Sequence, residues 1–313
     1  MELQKPWIKL TGFLNREDAN RIAELEAVCA RSDQMSFKLE LPYKLGGAAS
    51  AELSAKAPDI NELMYFDGER LIGYIGIGCF GEPDSPPELM GMVRPEYRGQ
   101  GIFTALHNLA VSDLKRRCCK KALLLSDGRV ASGRQFIQKI GAVHDHSEFE
   151  MYLKRAATRR EDLAVAVELR KAVNADAPEV ERQNAIYFGD ERIDDGEWQH
   201  ARLLPEEEEK RGMTIFLAEQ GGKTVGKVHL QLIDGLGGIY GLGVLPEYRS
   251  KGLGRAILAM AVERLKGVGA QEITLQVATD NPNALHLYES CGFETTSVME
   301  YYGLPLCRRD ECQ

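Results

Sequence analysis

One short turn occurs twice in this chain. Pro95-Glu96-Tyr97-Arg98 returns as Pro246-Glu247-Tyr248-Arg249, a shift of 151 residues. The same shift carries Gly101 onto Gly252 and Gly141 onto Gly292, so the register holds without a gap between those points. A period of that length is far beyond a solenoid repeat and marks a duplicated domain. At 313 residues the chain has room for two such domains. The expected division is 1–155 and 156–313, joined through a short basic connection at 154–158.

Each half reads in the same order. The first begins with a strand near 7–10 and a helix capped by Asn15, with Ile22, Leu25 and Val28 on one face. A hairpin follows, 63–66 and 71–80 about the turn Asp67-Gly68. The strand 88–93 leads into the glycine turn, and the next helix carries Ile102, Leu106, Leu109 and Leu114 inward. A strand at 122–125, a helix over 132–140 and a strand near 148–153 complete the half. The second half repeats this with a first helix near 161–173, a hairpin at 214–218 and 224–233, and a central strand at 239–244. A helix over 253–266, a strand at 272–278 and a short helix from Asn283 follow. Between 184 and 212 lies a polar insertion ending in four glutamates, which suits a solvated helix face or, alternatively, a lid.

A net charge of −8 and a pI near 5.5 disfavour a nucleic-acid partner, which calls for a surplus of Lys and Arg. The first ten residues hold no apolar signal core, and no stretch approaches the roughly 18 apolar residues of a membrane span. The seven cysteines are scattered and odd in number, which fits reduced thiols in a cytoplasm. His144, His146, Cys307 and Cys312 lack partners at zinc spacing, so no metal is expected.

The turn after the strand 239–244 reads Arg249-Ser250-Lys251-Gly252-Leu253-Gly254-Arg255 and opens a helix. Small residues let backbone N–H groups converge there, and the helix N-terminus adds its positive end, so the site suits an anion. It lacks the Gly-Lys-Ser/Thr ending of a P-loop. Gly76, Gly78 and Gly81 match the dinucleotide string G-x-G-x-x-G, but a proline-rich segment follows that cannot open a helix. Those glycines are expected in the hairpin.

Val244 to Gly254 resembles the acetyl-CoA pyrophosphate loop of the GNAT superfamily of N-acetyltransferases, with its pattern Arg/Gln-x-x-Gly-x-Gly/Ala. Downstream, Asn281, Ala284, Leu287, Tyr288, Gly292 and Phe293 are similar to the family's second motif, N-x-x-A-x-x-L-Y…G-F. The resemblance covers nearly the whole chain as two domains in tandem, strong in the second half and partial in the first. It implies an α/β (α+β) fold, each domain a mixed, mostly antiparallel sheet flanked by helices, with the cofactor between splayed central strands. In the second half the implied acetyl-CoA contacts are Gly243, Val244, Arg249, Ser250, Lys251, Gly252, Leu253, Gly254, Arg255, Asn281 and Tyr288. In the first they are Val93, Arg98, Gly99, Gln100, Gly101, Ile102 and Phe103.

Acetyl transfer needs a neutral amine, a polarised carbonyl and a proton for the leaving thiolate. The resemblance implies that a backbone N–H near Val244 polarises the thioester carbonyl. Tyr288, a phenol protonated at neutral pH, is the expected acid. The base is open: strict alternation puts Leu242, Tyr240 and Gly238 on the face of Val244, with no carboxylate, unless a bulge shifts it. Tyr240 and His229 are candidates, His229 being expected at the surface, and water relayed by another group is the alternative.

Under the shift of 151, Gly254 falls on Phe103, Tyr288 on Ile137 and Asn281 on Val130. The first half is therefore expected to be a degenerate copy that keeps a phosphate-facing Arg98 and Gly101. Glu88 is expected there as a solvated strand-end residue. The expected function is transfer of acetyl from acetyl-CoA to a primary amine of a small molecule by direct attack, in an architecture resembling mycothiol synthases. Peptide N-terminal acetylation, or non-catalytic acyl-CoA sensing, is the alternative. A cytoplasmic monomer, its tandem domains forming an internal pseudo-dimer, without nucleic-acid or membrane partners, completes the expectation.

Overall fold

The computed structural model describes residues 3–35, 37–39, 41, 44–45, 59–78, 85–155, 165–188 and 204–306. Packing divides the chain into two units, Met1–Ser147 with Ser297–Gln313, and Glu148–Thr296. This differs from the linear division at 155, because each half gives its last strand to the other unit. A duplicated fold offers two equivalent slots for that strand, and its sequence pattern is the same in either.

The first unit opens with β1 (Pro6–Thr11), antiparallel to β2 (Glu62–Asp67). Between them α1 (Arg16–Asp33) starts at Asn15, whose side chain accepts from the Asp18 N–H. Ile22, Leu25 and Cys29 form its buried stripe, with Val28 half-buried beside it. β3 (Arg70–Gly78), β4 (Glu88–Val93) and β5 (Lys121–Asp127) follow, with β12 (Phe293–Pro305) antiparallel to β5 from Met299↔Asp127 to Pro305↔Lys121. The strand order is β1-β2-β3-β4-β5-β12. Gly76 and Gly78 lie in β3, while residues 79–81 fall outside the described ones. α2 (Ile102–Arg116) buries Ile102, Leu106, Ala110 and Leu114. Its inward stripe advances four residues at a time, so Ala110 takes the place expected of Leu109, which is 37% exposed. α3 (Ala131–Ile140) ends at Gly141 in the left-handed region.

The second unit has the order β7-β8-β9-β10-β11-β6. Its strands are β7 (Glu168–Lys171), β8 (Met213–Gln220), β9 (Lys223–Ile233), β10 (Leu236–Val244), β11 (Glu272–Ala278) and, from the first half, β6 (Val143–Leu153). β6 pairs with β11 from Thr274↔Tyr152 to Ala278↔Glu148. The helix expected over 161–173 is not what forms in its described part: Glu168–Lys171 is an edge strand beside β8. Val167 and Leu169 point inward and their neighbours outward, a period of two that the short segment shares with a helical reading. The helix comes later, as α4 (Ala177–Phe188). Residues 189–203 lie outside the described ones. The acidic run forms α5 (Pro205–Lys210), with Glu206 on Asn174, Glu207 on Lys210, Glu208 on Arg211 and Glu209 on Lys171. These partners fit the solvated face rather than the lid. α6 (Leu253–Gly267) and α7 (Pro282–Ser290) complete the unit.

Candidate active site

In each unit one pair of neighbouring strands is parallel, and in each the pair comes apart. β4 and β5 pair only at Glu88↔Leu123 and Leu89↔Leu124; β10 and β11 pair from Leu236↔Glu272 to Ile239↔Leu275. Beyond these points the C-terminal ends diverge and leave a slot, with the glycine turn at its mouth. In open sheets that end of parallel strands is where ligands bind.

The two slots differ by one residue. β3 and β4 run in unbroken register from Gly73↔Val93 to Gly78↔Glu88. Along β9 and β10 the register slips between Tyr240↔His229 and Gly243↔Lys227, a bulge with Gly241 at φ +53°. Directly paired residues share a face. Tyr240 therefore lies with Gly243, His229 and Lys227, and Val244 lies on the opposite face. The expectation that Tyr240 shares the Val244 face is corrected by this bulge.

The turns themselves match closely. Gly99 and Gly101 have φ of +75° and +80°; Ser250 and Gly252 have +59° and +81°. Gly101 and Gly252 are the N-cap residues of α2 and α6 and supply no capping side chain, so the first-turn N–H groups stay available to an anion. Arg98 Nε donates to the Val93 carbonyl at 2.9 Å, and Arg249 Nε to the Val244 carbonyl at 3.0 Å, so both brace the strand end. Arg98 also grips Asp33 with both terminal nitrogens, at 2.8 and 2.6 Å, and is thereby neutralised. Lys251 donates to the Glu247 carbonyl, and Arg255 reaches Ser290 at the end of α7.

Asn281 caps α7, its side chain accepting from the Ala284 N–H at 3.1 Å. Asn281→Ala is expected to cost about 1 kcal/mol, read as a lower midpoint in denaturant titration. The equivalent cap of α3 is Val130, which cannot accept. Tyr288 is 7% exposed, its ring edge-on to Phe293 at 6.3 Å. Burial, with a smaller push from Cys291, raises its pKa to about 12, so the phenol is protonated across the neutral range. Gly254 is packed close: a Cβ there would sit 3.2 Å from Leu287 and 3.8 Å from Val244.

The first unit holds a cavity of about 390 Å³ in its slot. Its wall includes Met35, Gly91, Val93, Gly101, Phe103 and Ile137. Phe103 meets Phe136 edge-on at 4.7 Å where the second unit has Gly254 and Leu287. His107 lines this cavity at 6% exposure. Burial holds its pKa below the usual histidine value, opposed in part by Asn108. Glu88 is not solvated: it is half-buried and pairs with Lys38 at 3.2 Å.

On the face of β9 opposite the glycine turn lies a group the sequence reading passed over. Lys227 has no exposed surface. Its Nζ donates to the Gly241 carbonyl at 3.1 Å and lies 3.2 Å from His229 Nε2. Burial pulls its pKa down to about 7, and burial together with the Lys227 charge pulls His229 well below its ordinary value. His229 is half-buried rather than on the surface, because α4 covers this face and Tyr187 lies against Gly243. In the first unit Tyr74 holds the place of Lys227, its hydroxyl on Glu62, which Lys44 also grips at 3.0 Å.

Among the described residues no three His, Cys, Asp or Glu side chains gather as a metal site, and no helix is long and apolar enough to cross a membrane. The description of the GNAT acetyltransferase family matches residues 29–141 and again 179–293. A mycothiol acetyltransferase of Thermobispora bispora is 30% identical over 300 residues, covering 91% of this chain and 92% of the relative. One from Rhodococcus jostii is 26% identical over 296 residues, covering 90% and 94%. Among solved structures, a GCN5-related N-acetyltransferase from Sphaerobacter thermophilus superposes with a TM-score of 0.69 at 16% identity, covering 97% of this chain and 96% of its own. A tandem GNAT protein from the clavulanic acid biosynthesis pathway gives 0.68 at 14% identity, over 98% of this chain and 100% of that one. The chain belongs to the GNAT acetyltransferase family, as an acetyl-transferring enzyme with two GNAT domains in tandem.

Proposed function

We propose that this enzyme moves acetyl from acetyl-CoA to a primary amine of a small molecule by direct attack, and that the second unit does so. The carrying observation is the asymmetry between the slots. Only β10 has the bulge, and only α7 has both a capping asparagine and a buried phenol in the register of the acid. The donor fits the residues present: uncapped first-turn N–H groups of α6 for the pyrophosphate, a Gly254 close to Leu287 for the pantetheine wall, and a backbone N–H near Val244 for the carbonyl. Bound there, acetyl-CoA would supply the activated acetyl group.

The repeat 1–155 acts in this reading as a degenerate copy that binds an acyl-CoA without turnover, and 156–313 as the catalytic one. The cavity beside Gly101 supports binding by the first. The relatives named as mycothiol acetyltransferases favour a small amine over a peptide as acceptor. We place the protein in the cytoplasm as a monomer; among the described residues Cys29, Cys118, Cys119 and Cys291 form no disulfide.

The test is release of thiol from acetyl-CoA by the full chain against a panel of small amines, amino sugars bearing thiols, and peptides. Turnover on a small amine is the expected result. Preference for peptide N-termini would move the acceptor class, and tight acetyl-CoA binding without turnover on any acceptor would make the protein a sensor.

A further inference from the structure

A lysine with no exposed surface needs a partner, because burying an unpaired ammonium is costly. Among the described residues Lys227 has no carboxylate at ion-pair distance. It has instead three kinds of uncharged neighbour. The Gly241 carbonyl accepts from Nζ, His229 Nε2 lies 3.2 Å away, and the rings of Tyr187 and Phe188 face it at 5.5 and 5.8 Å from their centroids. Such a shell accepts hydrogen bonds from an ammonium but supplies no counter-charge. A buried amine that charges and discharges near neutrality is suited to proton transfer.

Its position is equally specific. Gly241 is the bulge residue of the strand that leaves its parallel neighbour, so Nζ sits at the slot, on the face away from the glycine turn. With the acetyl donor seated on the turn side, the acceptor must come from the face of Lys227. The groups that face the lysine are few. On β9 it has His229; from β10, Tyr240; from α4, Tyr187, whose hydroxyl is bonded to Gln183; β8 opposes it with uncharged Leu217.

We propose that Lys227 is the general base of the second unit, its uncharged Nζ taking a proton from the acceptor ammonium while the Gly241 carbonyl and His229 hold the new charge. This rests on the reading that the second unit transfers acetyl to an amine. The amine nitrogen, now neutral, bonds to the acetyl carbon as the carbon–sulfur bond breaks and its electron pair stays on sulfur. The thiolate gains a proton from the Tyr288 hydroxyl, which is restored from the nitrogen of the new amide. The proton on Lys227 leaves to solvent.

The sign of the pH effect follows. Below about pH 7 the lysine is charged and cannot accept, so kcat/KM rises with pH through that region and then levels. Two measurements on the full-length protein test this. In protein carrying ¹³C,¹⁵N-lysine, one side chain is expected to titrate near pH 7 by NMR, and that signal is expected to vanish in Lys227→Met. In kinetics, Lys227→Met and Lys227→Arg are each expected to lower kcat/KM by about tenfold or more above pH 7 and to erase the rising limb, with the KM for acetyl-CoA unchanged. Arginine keeps the charge but cannot shed its proton, so rescue by it would make Lys227 an electrostatic anchor and overturn the proposal. Titration near the ordinary lysine value, or a limb that survives Lys227→Met, would do the same. Gly252→Asp, run alongside, separates the failures. If it turns over undiminished, the reading of the second unit falls and the base with it. If it is dead while Lys227→Met keeps the limb, only the base is lost.

Discussion

Gly252→Asp is expected to lower kcat/KM for acetyl-CoA by roughly a thousandfold, about 4 kcal/mol of transition-state stabilisation, while Gly101→Asp leaves turnover within about twofold. Two effects combine at Gly252. Its φ of +81° lies in the left-handed region, where a side chain costs about 1–2 kcal/mol. The added carboxylate also faces the first-turn N–H groups of α6, takes their hydrogen bonds as a cap would, and repels a pyrophosphate. Gly101 has the same geometry, at +80°, with open space where a Cβ would go. The backbone strain and the added charge are therefore the same at the first turn, and on the proposed reading the role of the unit sets the outcome. Steady-state thiol release, with acetyl-CoA stoichiometry by calorimetry, reads both. Loss of turnover in Gly101→Asp alone would move the active site to the first unit.

The second large effect is expected from Tyr288→Phe. Removing the hydroxyl should lower kcat by about a hundredfold with little change in KM, as for a general acid. The fold should hold, because the ring keeps its edge contact with Phe293 and the hydroxyl makes no described hydrogen bond. The pH dependence also has a sign. A phenol whose pKa is raised to about 12 stays protonated where the same residue in the unfolded chain ionises near 10. Its contribution to stability is thus complete below about pH 10 and is lost as pH rises toward 12. Wild type and Tyr288→Phe should differ in alkaline denaturation in that window and agree below it. A kcat unchanged by the substitution would remove Tyr288 from the chemistry.

The sequence carried the repeat, the glycine turns and the second motif, because each depends on residues close in the chain. Gly252 needs its positive φ locally, and Asn281 caps a helix three residues on. What stayed hidden depends on partners distant in sequence. The bulge at Gly241 is a slip of β10 against β9, and strict alternation along one strand cannot reveal it. Lys227 alternates with His229 and Gln231 and so reads as a surface stripe, until α4 is seen to cover that face. Arg98 and Arg249 match the phosphate pattern, yet their Nε atoms are spent on strand-end carbonyls. The strand at 168–171 was masked by apolar spacing that fits a helix equally well.

The exchange of last strands changes what the duplication means for the chain's history. In the second unit, β6 from the first repeat lies beside β11, one strand from the slot. On the reading that the second repeat carries the chemistry, the first could drift at Ile137, Val130 and Phe103 without penalty to turnover. It could not be deleted, since its final strand covers the edge of the sheet that the other repeat uses. On that reading catalytic redundancy was free to vanish, and structural custody was not.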